Sequence, residues 1–321
     1  MQGGTHAAVT LIVVTWNSGA HVVDLLSSLD AGLEGTPNWR ILVVDNDSRD
    51  DTVDLVAAHR PDAKVIGTGC NAGYAAAVNV GVAASEAGSA VVVLNPDVAL
   101  GQGCVTKLLA ALEEPGTGIA VPRQMAPDGA LQRSLRHEPT VRRAWGEAVL
   151  GGNRAERFPA WCEVVGNRTV YAHDCETTWA TGSVMAVSRE CLEVVGPWDE
   201  RFFLYSEETD FCLRSRDAGY AVRYVSDAVC THRGGESHAS PALWSLLVVN
   251  RLRLFRARSG PVRGAAFHAA LLAGEGARAA VGRQRSRASF RALCTGSRAA
   301  GHIIATLQQT QPAATEASGA R

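Results

Sequence analysis

The stretch VVVLNPDVAL, residues 91–100, runs through four apolar residues, stops on Asn95-Pro96-Asp97, and then turns apolar again. The first part reads as a short buried strand. The tripeptide after it has two readings. Asn, Pro and Asp are all turn formers, so it can be a plain turn. It can also be a carboxylate held at the carboxyl end of a parallel strand, where such sheets bind ligands. The choice rests on what the neighbouring strands deliver to the same edge.

Those neighbours alternate with helices. Val9 to Thr15 (VTLIVVT), Arg40 to Asp45 (RILVVD), Lys64 to Gly67 (KVIG) and Ala90 to Leu94 read as strands. Between them lie a helix capped by Ser18 with Val22, Leu25, Leu26 and Leu29 on one face, a helix from about Asp50, and an alanine-rich helix over Gly73 to Ala84. This rhythm predicts βαβ units and an α/β fold on a mostly parallel sheet. After Gly118 it breaks. Ile119 to Pro122, Thr178 to Val187 (with a Gly interruption) and Ala221 to Val225 read as further strands, Ser206 to Ala218 as a helix, and residues 126–175 as loops covering a site without joining the sheet.

The strand ends carry short polar groups: Thr15-Trp16-Asn17, Asp45-Asn46-Asp47-Ser48, Asn71-Ala72-Gly73 and Asn95-Pro96-Asp97. Each alone is ordinary turn or cap chemistry; four at one edge describe a pocket. The pocket lacks the G-x-G-x-x-G of a dinucleotide site, since TWNSGA stands in that position, and the chain has no P-loop. Acidic rims repel a bare diphosphate, so a phosphate ligand here implies an accompanying Mg²⁺ or Mn²⁺, ions that favour carboxylate and phosphate oxygens. Asp97 is the best-placed carboxylate for that ion. FFLYSEETDFCLR, 202–214, sets Glu207, Glu208 and Asp210 at a helix start beside apolar flanks, where a carboxylate is either a helix-dipole complement or a general base. THRGGESH, 231–238, places His232 before two glycines.

Asp45 and Asp47, LNPDV at 94–98, TGS at 181–183, FFLYSEETD at 202–210 and H-x-x-G-x-S at 232–237, in that order, resemble the family 2 glycosyltransferases, most closely their bacterial rhamnosyltransferase-like branch. The resemblance spans about residues 8–240. It implies a GT-A fold, a nucleotide-diphospho-sugar donor (dTDP- or UDP-linked, with L-rhamnose as one candidate sugar), a divalent metal and inversion at the sugar carbon. Thr15, Asn17, Asp45 and Asp47 would hold the nucleoside. Asn71, Asn79 and Asn95 would line the donor edge. Asp97 and His232 would bind the metal or diphosphate, and Glu208 stands where the family's E-D pair places its catalytic Asp, with Asp210 in reserve. The acceptor would be a glycan, a lipid-linked sugar or a small molecule of the cell envelope.

The length of 321 residues suits one large domain or two ordinary ones. Apolar residues make up 46% and charged residues 20%, an ordinary globular composition. The eight cysteines are scattered without a C-x-x-C pair, which suits reduced thiols better than a disulfide or zinc framework. MQGGTHAAVT shows no signal peptide and no apolar run is long enough to span a bilayer, so the expectation is a cytoplasmic chain or one held peripherally on the inner membrane face. Net charge is −1, yet twelve arginines face only Glu275 and Glu316 after Pro241. This predicts a helical extension over 241–310, followed by a disordered tail at 311–321. Its basic face is either solvated or docked on anionic lipid through Trp244, Leu246, Leu247, Leu252, Leu254 and Phe255. No nucleic-acid motif accompanies the arginines. Other classes remain open. A nucleotidyltransferase would need a basic, glycine-rich loop where TWNSGAH stands, and a catalytically inactive sugar-nucleotide-binding or scaffold protein would keep the pocket without turnover.

Overall fold

A computed structural model describes residues 9–235 and 240–309. In chain order the elements are β1 (Val9–Thr15), α1 (Gly19–Gly32), β2 (Trp39–Asp45), α2 (Thr52–His59), β3 (Lys64–Gly67), α3 (Tyr74–Ala84), β4 (Ala90–Leu94), β5 (Val98–Leu100), α4 (Cys104–Leu112) and β6 (Thr117–Met125). Then come β7 (Leu131–Gln132), β8 (Leu135–Arg136), α5 (Val141–Leu150), α6 (Gly152–Ala155), β9 (Cys175–Thr177), β10 (Trp179–Ala180), β11 (Val184–Val187), α7 (Arg189–Val195), α8 (Glu207–Asp217) and β12 (Ala221–His232). The extension holds α9 (Pro241–Ala280), α10 (Gln284–Thr295) and α11 (Ser297–Gln309).

The main sheet runs β3-β2-β1-β4-β11-β6-β12-β5, with the first four strands parallel and β11 antiparallel to both neighbours. Every residue of β1 is buried because both sheet faces are covered. Leu11 and Val13 pack toward α1 and α4, while Ile12 and Val14 pack toward α3 and α8, the two-residue alternation of a strand.

Four readings from the sequence change. β12 extends to His232 instead of ending near Val225. A register shift between Val225 and Val229 bulges out Ser226, whose N–H and hydroxyl bond the Asp174 carboxylate, and the ladder then resumes. Residues 126–175 are more than loop: β7 joins the sheet beside β6, and α5 is a ten-residue helix capped by Thr140. Ser18 makes no side-chain cap; its hydroxyl accepts from Trp16 N instead. The tail expected at 311–321 lies outside the described residues.

The fourth change concerns the extension. Leu246, Leu252, Leu254 and Phe255 are buried, and Trp244 and Leu247 pack partly buried beside them against α5 and α10, so this apolar side is spent on the protein's own core. α9 kinks at Gly260-Pro261, which brings Phe255 and Phe267 into a stack with centroids 4.0 Å apart. Arginines of α9 turn inward as well. Arg251 pairs with Glu147 at 2.8 Å and with Glu163, and Arg258 pairs with Asp217 at 2.8 Å. The basic extension therefore neutralises the acidic body it covers. No helix among the described residues is long and apolar enough to cross a membrane.

Removing Arg251 would strand two carboxylates. Burial pushes the Glu163 carboxyl up even with its partner present, while in Glu147 burial is outweighed by the Arg251 charge and hydrogen bond together with the Glu163 N–H, and the carboxyl is held down. Arg251→Ala is expected to lower stability by about 3–5 kcal/mol near neutral pH. The loss should shrink on acidification, because neutral carboxyls need no counter-charge; urea unfolding followed across pH checks both the size and the trend.

Candidate active site at the carboxyl edge of the sheet

The rim is tied together strand end by strand end. Thr15 and Asp45 are register partners of β1 and β2, and the Thr15 hydroxyl donates to Asp45 Oδ1 at 2.7 Å. Ser48 adds two more bonds to the same carboxylate, from its N–H at 2.8 Å and its hydroxyl at 2.6 Å. Asn17, in the left-handed region (φ 48°), accepts from Arg49 N through its Oδ1. Asp47 is also left-handed (φ 65°) and exposed, so its carboxylate faces outward at the end of β2. Asn46, which sequence reasoning passed over, is buried and donates to Gly73 O, tying the β2 end to the 71–73 loop.

Asn71 Oδ1 accepts from Gly73 N, and its carbonyl accepts from Gln308 of α11 at 2.8 Å. Asn79 stands apart from the other candidates. Its amide is consumed by Trp198 N, Trp198 O and Glu200, so it clamps α3 to the 198–200 segment. Asn95 N donates to Ser183 O, which joins the NPD turn to the TGS turn.

Asp97 and His232 meet across β5 and β12, with Oδ2 and Nε2 3.3 Å apart. Gly234 N donates to the same Oδ2 at 3.0 Å, and a Cβ at Gly234 would come within 3.2 Å of the imidazole. Gln132 fixes the ring. Its Nε2 donates to His232 O at 2.6 Å, so its Oε1 is the atom facing His232 Nδ1 at 3.3 Å, and Nδ1 carries the proton. Nε2 faces the carboxylate oxygen: as the N–H of an imidazolium it donates to Asp97, and as the lone pair of a neutral ring it can share a cation with it. Burial opposes the Asp97 charge, but the His232 bond and the Gly234 N–H outweigh it and hold the carboxyl below its usual range. An octahedral Mg²⁺ or Mn²⁺ with bonds of about 2.1 Å sets adjacent donors roughly 3 Å apart, and it takes one or two protein ligands plus substrate phosphate. The pair fits that requirement, although no group of three or more His, Cys, Asp or Glu able to hold a metal occurs among the described residues.

Glu207 and Glu208 open α8 from a strained turn. Phe203 (φ 54°), Tyr205 (φ 67°) and Ser206 (φ 77°) are all left-handed without being glycine. Ser206 makes no side-chain cap for α8. The turn survives because it is gripped on two sides. Tyr74 N donates to Phe203 O at 2.6 Å, over a Gly73 where any Cβ would lie 2.5 Å from the Phe203 ring. From α9, the fully buried Asn250 donates its amide to Phe202 O, Leu204 O and Tyr205 O at 2.7, 2.9 and 3.2 Å. An asparagine inside the apolar run LLVVN was the only trace of this contact in the sequence.

The carboxylates so presented are not satisfied internally. Oε2 of Glu207, Oε2 of Glu208 and the Tyr74 hydroxyl are buried atoms without a partner, as are the hydroxyls of Ser134 and Ser183 beside the TGS turn. A Cβ at Gly182 would lie 3.0 Å from Glu208 Cβ, so the turn closes directly on the glutamate. Burial, and then the Glu208 charge, push the Glu207 carboxyl well up; burial raises Glu208 too, against the pull of the N–H groups of Glu208, Thr209 and Ser206. Burial, and then the charges of Glu207, Glu208 and Asp97, push the Tyr74 hydroxyl well up. Asp210, the reserve candidate, is committed elsewhere: Arg214 holds its Oδ2 at 2.6 Å.

Asn250→Ala is expected to cost about 2 kcal/mol, since three turn carbonyls lose a buried donor. Ser206→Gly should recover part of that loss, because glycine adopts a left-handed backbone without steric penalty. Urea midpoints of the two single variants and the double variant read the coupling directly.

With this geometry in view, the likenesses to known proteins become specific. Residues 10–170 match the sequence profile of Glycosyl transferase family 2. An N-acetylglucosaminyl-diphospho-decaprenol L-rhamnosyltransferase of Mycobacterium tuberculosis is 33% identical over 238 residues, 71% of this chain and 76% of that protein. Among solved structures, S. aureus TarS 1-349 aligns with a TM-score of 0.51 at 15% identity, covering 94% of this chain and 90% of that one. GalNAc-T7, crystallised with UDP, GalNAc and Mn²⁺, aligns with a TM-score of 0.56 at 14% identity over 78% of this chain and 48% of that one. The fold is GT-A, and the chain belongs to the family 2 glycosyltransferases.

Proposed function

We propose that this glycosyltransferase is a metal-dependent, inverting enzyme that moves a sugar, with L-rhamnose the leading candidate, from a nucleotide-diphosphate donor to a hydroxyl of a lipid-linked acceptor. The observation that carries the reading is a pair of features joined through the bonded 95–97 and 181–183 turns. On one side a carboxylate oxygen and an imidazole nitrogen face each other, 3.3 Å apart; on the other, Glu208 is raised by burial and keeps an unpartnered oxygen. The sugar and the lipid-linked acceptor follow the activity named for the mycobacterial relative.

Each residue then has a task. Asp47 is open to the nucleoside, on a loop held in shape by Thr15, Asn17 and Asp45, while Asn71 and Asn95 border the donor edge. Asn79 serves that edge through the backbone it clamps. Asp97 and His232 would hold the divalent ion, with Gln132 keeping the His232 lone pair aimed at it. Bound there, the ion would supply charge neutralisation for the departing diphosphate. Glu208 accepts the proton of the acceptor hydroxyl as that oxygen attacks the anomeric carbon. The bond to the diphosphate breaks on the opposite side, and a single displacement inverts the configuration.

Glu208→Gln is expected to lower kcat by about 10²–10⁴-fold with nucleotide affinity nearly unchanged. A base works only when ionised, so wild-type kcat should fall on the acid side at a pH above the usual carboxylate range, following the raised Glu208 carboxyl. Turnover of dTDP- and UDP-sugars, with titration of the free nucleotide by calorimetry, provides both readouts. A Glu208→Gln enzyme of wild-type rate would remove Glu208 from the chemistry.

A further inference from the structure

The apolar run of α9 is buried, yet the molecule carries an apolar surface elsewhere, on a segment the sequence had presented as a covering loop. α5 exposes Trp145 at 37%, Val149 at 75% and Leu150 at 36%, and the turn after α6 exposes Phe158 at 53% and Trp161 at 45%. These side chains form one patch, because the 158–161 turn lies flush along α5. Arg142 donates to Ala160 O at 2.9 Å and Arg143 to Pro159 O at 3.2 Å, and Trp161 N closes the turn on Phe158 O. At Gly146 a Cβ would lie 2.2 Å from Trp161 O, so only glycine permits this approach.

The surround is cationic. Arg142, Arg154 and Arg157 are exposed, whereas the carboxylates of residues 141–161 are taken: Glu147 by Arg251 and Glu156 by Arg133. Two tryptophans and a phenylalanine ringed by arginines, with no free acid on the segment, match the interfacial layer of an anionic bilayer. There aromatic rings sit at headgroup depth and each basic residue adds attraction. The segment is also joined to the active site. β8, just before it, pairs with β10, and β10 leads into the 181–183 turn that closes on Glu208.

We infer that the Trp145–Phe158–Trp161 patch docks this enzyme on an anionic membrane surface, where a lipid-linked acceptor can reach Glu208. The acceptor clause rests on the function proposed above; the docking itself does not.

The test is flotation of the full chain with vesicles of phosphatidylcholine alone or with about one-third phosphatidylglycerol. Binding should favour the anionic vesicles, weaken with salt, and shift tryptophan emission to shorter wavelength. A Trp145→Ser, Phe158→Ser, Trp161→Ser variant should lose binding by roughly tenfold or more. A separate Arg142→Gln, Arg154→Gln, Arg157→Gln variant should lose the anionic preference, roughly fivefold for each arginine. Both variants should keep wild-type binding of dTDP or UDP, which reports on the donor site independently of the patch. Equal binding by wild type and both variants would overturn the assignment. So would absence of vesicle binding combined with a dimer that the aromatic variant splits, which would make the patch a contact between copies of this chain.

Discussion

Everything near the site is arranged around one costly feature: two adjacent glutamates presented at a helix start with buried, unsatisfied oxygens. Like charges held close in a dry place favour protonation, and a polar atom without a partner forfeits its hydration. The turn that presents them adds strain, since each left-handed non-glycine residue costs roughly 1–2 kcal/mol. Such a device persists only when its surroundings overdetermine it. Here the surroundings are Gly73 and Tyr74 on one side and Asn250 on the other. The helical extension is therefore structurally continuous with the site: the same helix that pairs Arg251 with Glu147 and Glu163 carries the amide that braces the turn.

The rim divides into groups that hold one another and groups that remain open. Thr15, Asp45, Asn46, Ser48 and Asn79 spend their polar atoms inside the protein and fix strand ends and loops. Asp47, the Asp97–His232 pair and Glu208 keep capacity for something outside it. This division explains how short polar residues at one sheet edge can be at once ordinary turn chemistry and a pocket. The internal bonds supply the preorganisation that lets the few open groups act without rearranging.

The sequence made the parallel half of the sheet and the polar rim legible because both are local: strand runs, breakers and their end residues lie within a few positions of one another. What it hid was tertiary. The Val225–Val229 bulge disguised the full length of β12, and with it the fact that His232 is the last residue of a strand pairing with the Asp97 side. Gln132 and Asn250 reach their partners across about a hundred and about fifty residues, distances at which no spacing rule applies. The misread apolar face of the extension has a similar cause. Leucines beside arginines describe a helix with one dry side, and lipid and protein core dry it equally well. Only the fold shows that Leu246, Leu252 and Phe255 face the core, whereas Trp145, Phe158 and Trp161 do not.

The central claim is that the donor's diphosphate and its cation meet the protein between Asp97 and His232, on the sheet edge that the 181–183 turn links to Glu208. Anomalous scattering from crystals grown with Mn²⁺ and dTDP or UDP tests it most directly. The account predicts a manganese peak bonded to Asp97 Oδ2 and His232 Nε2, with the diphosphate completing its shell and Glu208 facing the vacant sugar position. A peak elsewhere, or nucleotide bound with both residues still paired only to each other, would contradict it.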